Sequence, residues 1–302
     1  MRTARVTGDG VELATTERGA ATAPTIVLVH GYPDTQAMWD LVAEHLADRF
    51  HVVTYDVRGA GASDAPAHRS GYSMQHLEAD LAAVVDAASP DRPVHLAGHD
   101  WGSIQCWEAV CGDRLAGRIA SFTSISGPCL DHVAHWIRAS ARPGSKAVLE
   151  LVSQSVRSTY IAAMHTPGFM PALWRAGLAR AWPTYVNRAE GATVDSRWPA
   201  PTLAADAERG VELYRQNVRG ALMRPRERRT DVPVQVLLPR GDPFVTAPMA
   251  RAAEAWAARL WCREVAGTHW LPRSRPDKVA LWVSELVDHV EDGPAHACST
   301  PR

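Results

Sequence analysis

No run in the sequence approaches the ~20 apolar residues that a helix needs to cross a bilayer. The polar opening MRTARVTGDGVELATTERG lacks the apolar centre of a secretory signal, so a cytoplasmic protein is expected. Cysteine is scarce: Cys106, Cys111, Cys129, Cys262 and Cys298 make an odd count of five with no CxxC pair. Neither a disulfide framework nor a cysteine metal site is expected, and a reducing compartment fits. Neither sign of charge dominates. The 32 basic and 33 acidic residues leave a net charge of -1, which gives no electrostatic case for nucleic acid or an anionic membrane. Phenylalanine is rare, four against eleven tryptophans, and several of those tryptophans fall between residues 136 and 198. No internal repeat and no low-complexity tract is present.

What remains is the composition of an ordinary globular enzyme, 46% hydrophobic and 22% charged, in a length that suits one large domain or two modest ones. The first third alternates strand and helix signals. TIVLVH (25–30), FHVVTYD (50–56) and PVHLAGH (93–99) are continuous apolar, β-branched runs, as parallel strands covered on both faces should be. SFTSISG (121–127) stands where a fourth strand belongs, and GVELATTERG reads as an antiparallel edge hairpin. YSMQHLEADLAAVVDAA (72–88) carries apolar residues at helical spacing behind a candidate Ser73 cap. The pattern resumes with a strand and loop in VPVQVLLPRGD (232–242), a helix over 249–260, a strand over 260–267 and a closing helix over 276–290. The alternation predicts a parallel α/β sheet.

Between about 128 and 229 the alternation breaks down. Helical pieces are interrupted by Pro143, Pro167, Pro171, Pro183, Pro199, Pro201 and Pro225, and Trp136, Trp174, Trp182 and Trp198 lie among them. We read a helical insertion over the mouth of the sheet, with the basic RPRERR (224–229) as a solvated return linker. The predicted organisation is a core of 1–127 and 230–291, a helical cap of 128–229 and a flexible tail of 292–302.

The stretch VHLAGHDWGSIQCWEAV (94–110) is a buried strand, a tight corner and a helix. Many hydrolases place a serine at such a corner, as G-x-S-x-G. Here GHDWG puts Asp100 there, with Gly98 and Gly102 as the small neighbours that a strained corner requires. The corner projects its central residue at the carboxyl edge of the sheet, where open α/β folds bind ligands. Asp100 could serve only as a helix N-cap, but three other features converge on it. HGYP (30–33) follows the first buried strand, where the loop contributes an oxyanion-hole N–H. RGDPFV (240–245) presents Asp242 and GTHWL (267–271) presents His269, each just after a strand. The chain order is nucleophile, acid, base.

Together HGYP, DVRGAGAS (56–63), GHDWG, GDPFV and GTHWL resemble the epoxide hydrolases of α/β-hydrolase fold, over nearly the whole chain. FTSISGPCLDHV resembles the hydrolase module of actinobacterial epoxide-hydrolase-like proteins in which that module is fused to a short-chain dehydrogenase; 302 residues leave no expected room for the second module. The core motifs alone do not separate epoxide hydrolases from haloalkane dehalogenases, which also use an Asp nucleophile. The resemblance implies a mostly parallel sheet with an inserted cap, no cofactor and no metal.

The carboxylate itself narrows the chemistry. Attack on an ester would form a reactive anhydride, whereas attack on a saturated carbon forms an ordinary ester. Water activated by His269 can then cleave that ester at the Asp100 carbonyl carbon, with Asp242 orienting the imidazole. The expected oxyanion donors are the main-chain N–H groups of Tyr32 and Trp101. An epoxide oxygen leaves as an alkoxide and needs a proton donor; in the family, two cap tyrosines supply it. By resemblance these are Tyr160, in STYIAAMHTPG, and Tyr214, in ELYRQN, with Tyr185 a weaker substitute. The expected reaction opens an epoxide to a vicinal diol, with haloalkane dehalogenation and a non-catalytic binding protein as alternatives. The expected partners are a small-molecule epoxide and water, without nucleic acid or membrane; a homodimer stays open.

His30, Pro33, Trp101 and Trp270 are further candidates for contact with substrate. His30 and His99 are also expected to hold loops by hydrogen bonds. Asp131 is the alternative triad acid. Arg58 is expected to fix a loop, with Gly59 and Gly61 permitting the turn. His132, His135 and His165 lack a metal-ligand spacing.

Overall fold

The computed structural model describes residues 1–142, 144 and 147–293. Pro143, most of the expected tail and Cys298 lie outside the described residues. The chain opens with β1 (Arg2–Thr7) and β2 (Glu12–Arg18), an antiparallel pair at one edge. The stretch GVELATTERG, expected to form an edge hairpin by itself, is instead a single strand, and the edge pair is completed by Arg2–Thr7.

The central strands are β3 (Thr25–Val29), β4 (His51–Tyr55), β5 (Val94–His99) and β6 (Ile119–Ile125). With β7 (Val234–Pro239) and β8 (Leu260–Val265) they complete an eight-stranded sheet of order β1-β2-β4-β3-β5-β6-β7-β8. From β4 to β8 all neighbours are parallel. Helices α1 (Asp40–Leu46) and α11 (Pro276–Glu291) cover one face; α2 (Met74–Ala88) and α3 (Trp101–Cys111) cover the other. Double coverage explains why β3, β4, β5 and β7 are buried throughout. Ser73 takes the N-cap backbone position of α2, but its side chain makes no cap hydrogen bond.

Strand order reverses at β3. The chain passes from β3 outward to β4, then returns to place β5 on the other side of β3. The loops leaving β3 and β5 therefore diverge at their carboxyl ends and open a crevice, the switch point at which such sheets bind ligands.

Between β6 and β7 the described residues form helices and no strand: α4 (Leu130–Ser140), α5 (Val148–Arg157), α6 (Tyr160–His165), α7 (Phe169–Leu173), α8 (Ala179–Arg188) and α9 (Leu203–Met223). The long helix α9 reaches the loop after β3 through Gly210, where a Cβ would lie 2.7 Å from the Tyr32 ring.

Two expectations need correction. The helix expected over 249–260 is only a turn, α10 (Ala247–Ala250), followed by a 3-10 turn to Ala255. Trp256 then stacks on His132 and its carbonyl accepts Thr230 N–H, so the chain is drawn into β8 despite its alanine-rich composition. The RPRERR segment is only partly solvated. Arg226 and Arg228 pair with Glu108 and Asp131, and Arg229 lies over the Trp256 ring at 5.0 Å.

Candidate active site

Asp100 occupies the corner between β5 and α3 with φ 53° and ψ -123°, a conformation that side-chain-bearing residues rarely adopt. The close packing there shows why its neighbours are small. A Cβ on Gly98 would lie 2.6 Å from Ser103 Cα, and one on Gly102 would lie 2.1 Å from Val29 O. The second contact joins the corner directly to the end of β3.

That junction brings the HGYP loop to the carboxylate. Tyr32 N–H donates to Asp100 Oδ1 at 2.7 Å. The expected second donor differs: no hydrogen bond from Trp101 N–H to the Asp100 carboxylate is present among the described residues. Asp100 Oδ2 lies 3.7 Å from His269 Nε2. On the other side of the ring, His269 Nδ1 is 3.1 and 3.2 Å from the two oxygens of Asp242. Asp242 also accepts the N–H groups of Phe244 and Val245, at 2.8 and 3.0 Å. Its carboxylate is thus fixed by its own loop.

All three groups are buried. Burial disfavours the charged imidazole, but Asp242 and Asp100 on its two sides outweigh this and raise the His269 pKa to about 10. Burial likewise pushes the Asp242 carboxyl up, while His269 and the hydrogen bonds hold it below the usual range. Asp131 does not reach this cluster. Its carboxylate is taken by Arg226 and Arg228, so of the two candidate triad acids only Asp242 faces the imidazole.

Tyr160 and Tyr214 meet edge to face, with ring centroids 5.9 Å apart. Tyr214 also packs edge to face on Tyr32 and Trp101. Burial, reinforced by Asp100, raises both hydroxyl pKa values, so both stay protonated. The Tyr32 hydroxyl accepts Trp174 Nε1–H at 2.7 Å, and only the main chain of Tyr32 serves Asp100.

Two cavities of 150 Å³ each flank this centre. Asp100, Tyr160, Tyr214 and Phe244 line both and form the waist between them. One lobe is largely aliphatic, with Leu130, Val133, Ile137 and Leu222 in its wall. The other is aromatic, with Trp174, Trp182, Tyr185 and Trp270. Pro33 and Trp270 line the aromatic lobe and Trp101 the aliphatic one. Trp136 and Trp198 line neither.

His30 is a correction: it lines neither lobe. Its Nε2 accepts Val57 N–H at 2.9 Å, so Nδ1 carries the proton and donates to Gly31 O at 2.9 Å. Both nitrogens are spent on loops. His99 holds a loop through one nitrogen, its Nε2–H donating to His269 O at 2.9 Å, and burial followed by His269 lowers its pKa to about 4. Arg58 clamps Asp80 with two 2.6 Å hydrogen bonds and donates to the carbonyls of Gly71 and Asp9. No group of His, Cys, Asp and Glu suited to a metal occurs among the described residues. No described helix is long and apolar enough to cross a membrane.

The sequence reading missed three residues at this site. Phe244 packs on the His269 ring at 4.8 Å and lies two residues beyond Asp242, within a motif already noted. Asp34 directly follows HGYP; its two oxygens accept Trp198 Nε1–H at 2.7 Å and Trp270 Nε1–H at 2.9 Å. Glu190 accepts His269 N–H at 3.0 Å, and no local sequence signal marks it.

Comparison with known proteins bears on the fold. A family model described as alpha/beta hydrolase fold matches residues 24–274. The chain belongs to the α/β-hydrolase fold family. A curated relative, "Probable oxidoreductase EphD" of Mycobacterium tuberculosis, is 37% identical over 288 residues, 93% of this chain and 48% of the relative. The chain thus spans about half the length of that relative. "Epoxide hydrolase A" of the same organism is 36% identical over 123 residues, 40% of this chain and 37% of that protein. Among solved structures, a Bacillus megaterium epoxide hydrolase in complex with an inhibitor superposes with a TM-score of 0.77 at 18% identity. It covers 94% of this chain and 100% of its own, a likeness of fold.

Proposed function

We propose that this α/β-hydrolase is an epoxide hydrolase that opens its substrate through an ester on Asp100. The observation that carries this reading is a buried carboxylate facing two protonated tyrosines across the waist of one apolar site. The relatives named epoxide hydrolases support it. A halide needs no proton to leave; an alkoxide does, and a tyrosine pair is suited to that need.

In the first step Asp100 Oδ2 attacks an epoxide carbon and the ring C–O bond breaks. The developing alkoxide takes a proton from Tyr160 or Tyr214. Asp100 thereby becomes a neutral ester, and one of the two anions that hold His269 protonated is gone. His269 can then pass its proton to the tyrosinate, which restores the phenol and leaves a neutral imidazole. The base is generated by the step that precedes its use. Water next attacks the Asp100 carbonyl carbon while its proton goes to His269 Nε2. Negative charge develops on Oδ1, against Tyr32 N–H at 2.7 Å. The tetrahedral adduct expels the diol oxygen, which leaves with the adduct's hydroxyl proton. Carboxylate and imidazolium are restored, and the sum is epoxide plus water to vicinal diol.

The helical segment between β6 and β7 acts in this reading as the cap, supplying both tyrosines and most of both lobes. Equal lobes on either side of the nucleophile suit an internal epoxide with an apolar arm on each carbon. Neither lobe is lined by Lys or Arg among the described residues, which favours uncharged arms.

The test is the variant His269→Gln, in which the second step should stall. Incubated with styrene oxide and cis-5,6-epoxydecane, it should gain the full mass of the epoxide, and Asp100→Ala should gain nothing. In a parallel incubation with 1-bromobutane, a gain equal to that haloalkane less hydrogen bromide, with no gain from the epoxides, moves the protein to the dehalogenases.

A further inference from the structure

Glu190 is a buried carboxylate, 4% exposed, that the reaction described above does not use. It lies just beyond α8, in the segment between β6 and β7, yet it is bound to the loop that carries the base. Its Oε2 accepts His269 N–H at 3.0 Å, and its carbonyl accepts the Thr268 hydroxyl at 2.5 Å. Its Oε1 accepts the Tyr185 hydroxyl at 3.0 Å, and the Tyr185 ring lines the aromatic lobe.

The other holds on His269 come from the core. Asp242 fixes the imidazole at Nδ1, and His99 Nε2–H reaches the carbonyl at 2.9 Å. Leu271 N–H at 2.8 Å and the Ser126 hydroxyl at 3.5 Å also donate to that carbonyl. Glu190 supplies the hold on the main-chain N–H, and among the described residues it is the one that comes from the segment between β6 and β7. A buried main-chain donor without an acceptor is costly, and a carboxylate acceptor makes a strong hydrogen bond. Losing it would leave the base free to shift relative to the ester. A shift of about 1 Å at a reacting group can cost about 100-fold in rate.

We infer that Glu190 is a positioning residue that sets the main chain of His269 for hydrolysis of the ester, and that Tyr185 links this hold to the wall of the aromatic lobe. The inference rests on the ester mechanism proposed above. It places the effect on the second step, because the first uses Asp100 and the tyrosines, none of which Glu190 touches. A mere staple between cap and core would behave differently. Its loss would lower stability and impair both steps together.

The experiment is a single-turnover quench with styrene oxide and cis-5,6-epoxydecane, following Asp100 ester by intact mass and diol by chromatography. In E190A, ester hydrolysis should slow by about 10- to 100-fold while ester formation stays within about threefold of the unsubstituted enzyme. E190Q keeps an oxygen for His269 N–H and should restore hydrolysis to within about threefold. Y185F removes only the hydroxyl and should fall between the two. Equal slowing of both steps in E190A, or unchanged hydrolysis, overturns the inference. If E190A does not fold, E190D, whose carboxylate is one methylene short, takes its place; selective slowing of hydrolysis supports the inference and wild-type behaviour overturns it. If neither the unsubstituted enzyme nor His269→Gln forms an ester with either probe, the mechanism itself fails. If both form it and E190A hydrolyses it normally, only the role of Glu190 fails.

Discussion

Tyr32 N–H donates to Asp100 Oδ1 at 2.7 Å, which leaves Oδ2 as the oxygen 3.7 Å from His269 Nε2. The two carboxylate oxygens are therefore not equivalent. In the proposed mechanism Oδ1 becomes the ester carbonyl oxygen and Oδ2 is the oxygen that attacks. In a single turnover in ¹⁸O-labelled water, the new diol oxygen should come from Asp100, and the label should appear in the Asp100 peptide. Label in the diol during that first turnover would mean direct attack by water and would end the ester mechanism.

The tyrosine pair makes the next prediction. Tyr160 and Tyr214 both face the waist, so each can donate to the leaving oxygen. Y160F and Y214F should each slow ring opening by about 10- to 100-fold, and the double variant by more, within the ~10² to 10⁴ typical of general acids. Hydrolysis of preformed ester should change little. Rapid quench separates the two rates, and a double variant with unimpaired ring opening would remove the tyrosines from the chemistry.

The legibility of this site in the sequence follows from where its residues stand. Asp100, Asp242, His269 and Tyr32 each lie just after a strand, and strands buried on both faces are continuous β-branched runs. Their motifs thus come with a structural address. Glu190 and Asp34 carry no such address. Glu190 acts on a residue 79 positions away, and Asp34 on tryptophans 164 and 236 positions away. Packing of the segment between β6 and β7 on the sheet creates the contacts of Glu190 and Trp198, and the folding of the chain's last third onto the loop after β3 brings Trp270 to Asp34. The false helix over 249–260 failed for a related reason, since stacking of Trp256 on His132 overrides the alanine propensity. The strand expected at 121–127 runs two residues earlier, because Ser126 turns at φ 54° and Gly127 must pass Asp100 O, where a Cβ would lie 2.1 Å away.

His269 should titrate far from the usual histidine range. Burial works against its charge, but Asp242 and Asp100 raise its pKa to about 10. A raised pKa means that the folded state holds the proton more tightly than the unfolded chain. This contribution is complete below about 6.5 and is lost as pH rises toward 10. Asp100→Asn removes one anion and should lower the pKa of His269; Asp242→Asn should also lower it. NMR of the labelled imidazole checks this directly. An imidazole in the unsubstituted enzyme that titrates near 6.5 would contradict the paired-anion environment and the generation of the base by esterification.

Asp34 gives a prediction about stability. Burial raises its pKa to about 7, against the opposing effect of the Trp270 and Trp198 hydrogen bonds. Between about pH 4 and 7 the unfolded chain releases this proton before the folded one does. Stability from this residue therefore falls as pH rises across that window. Asp34→Asn cannot ionise and should flatten that part of the profile, so its stability relative to the unsubstituted protein should improve from pH 4 to 7. Asp34→Ala should do worse at every pH. It strands two buried indole N–H groups, at about 1–3 kcal/mol for each unsatisfied donor. It should also loosen the Trp198 turn, which Arg273 holds through the carbonyl of Thr193 and the carboxylate of Asp195. Denaturant midpoints across the pH range measure all three proteins. A parallel offset between Asp34→Asn and the unsubstituted protein, with no convergence or divergence between pH 4 and 7, would show that Asp34 titrates as an ordinary carboxylate despite its burial.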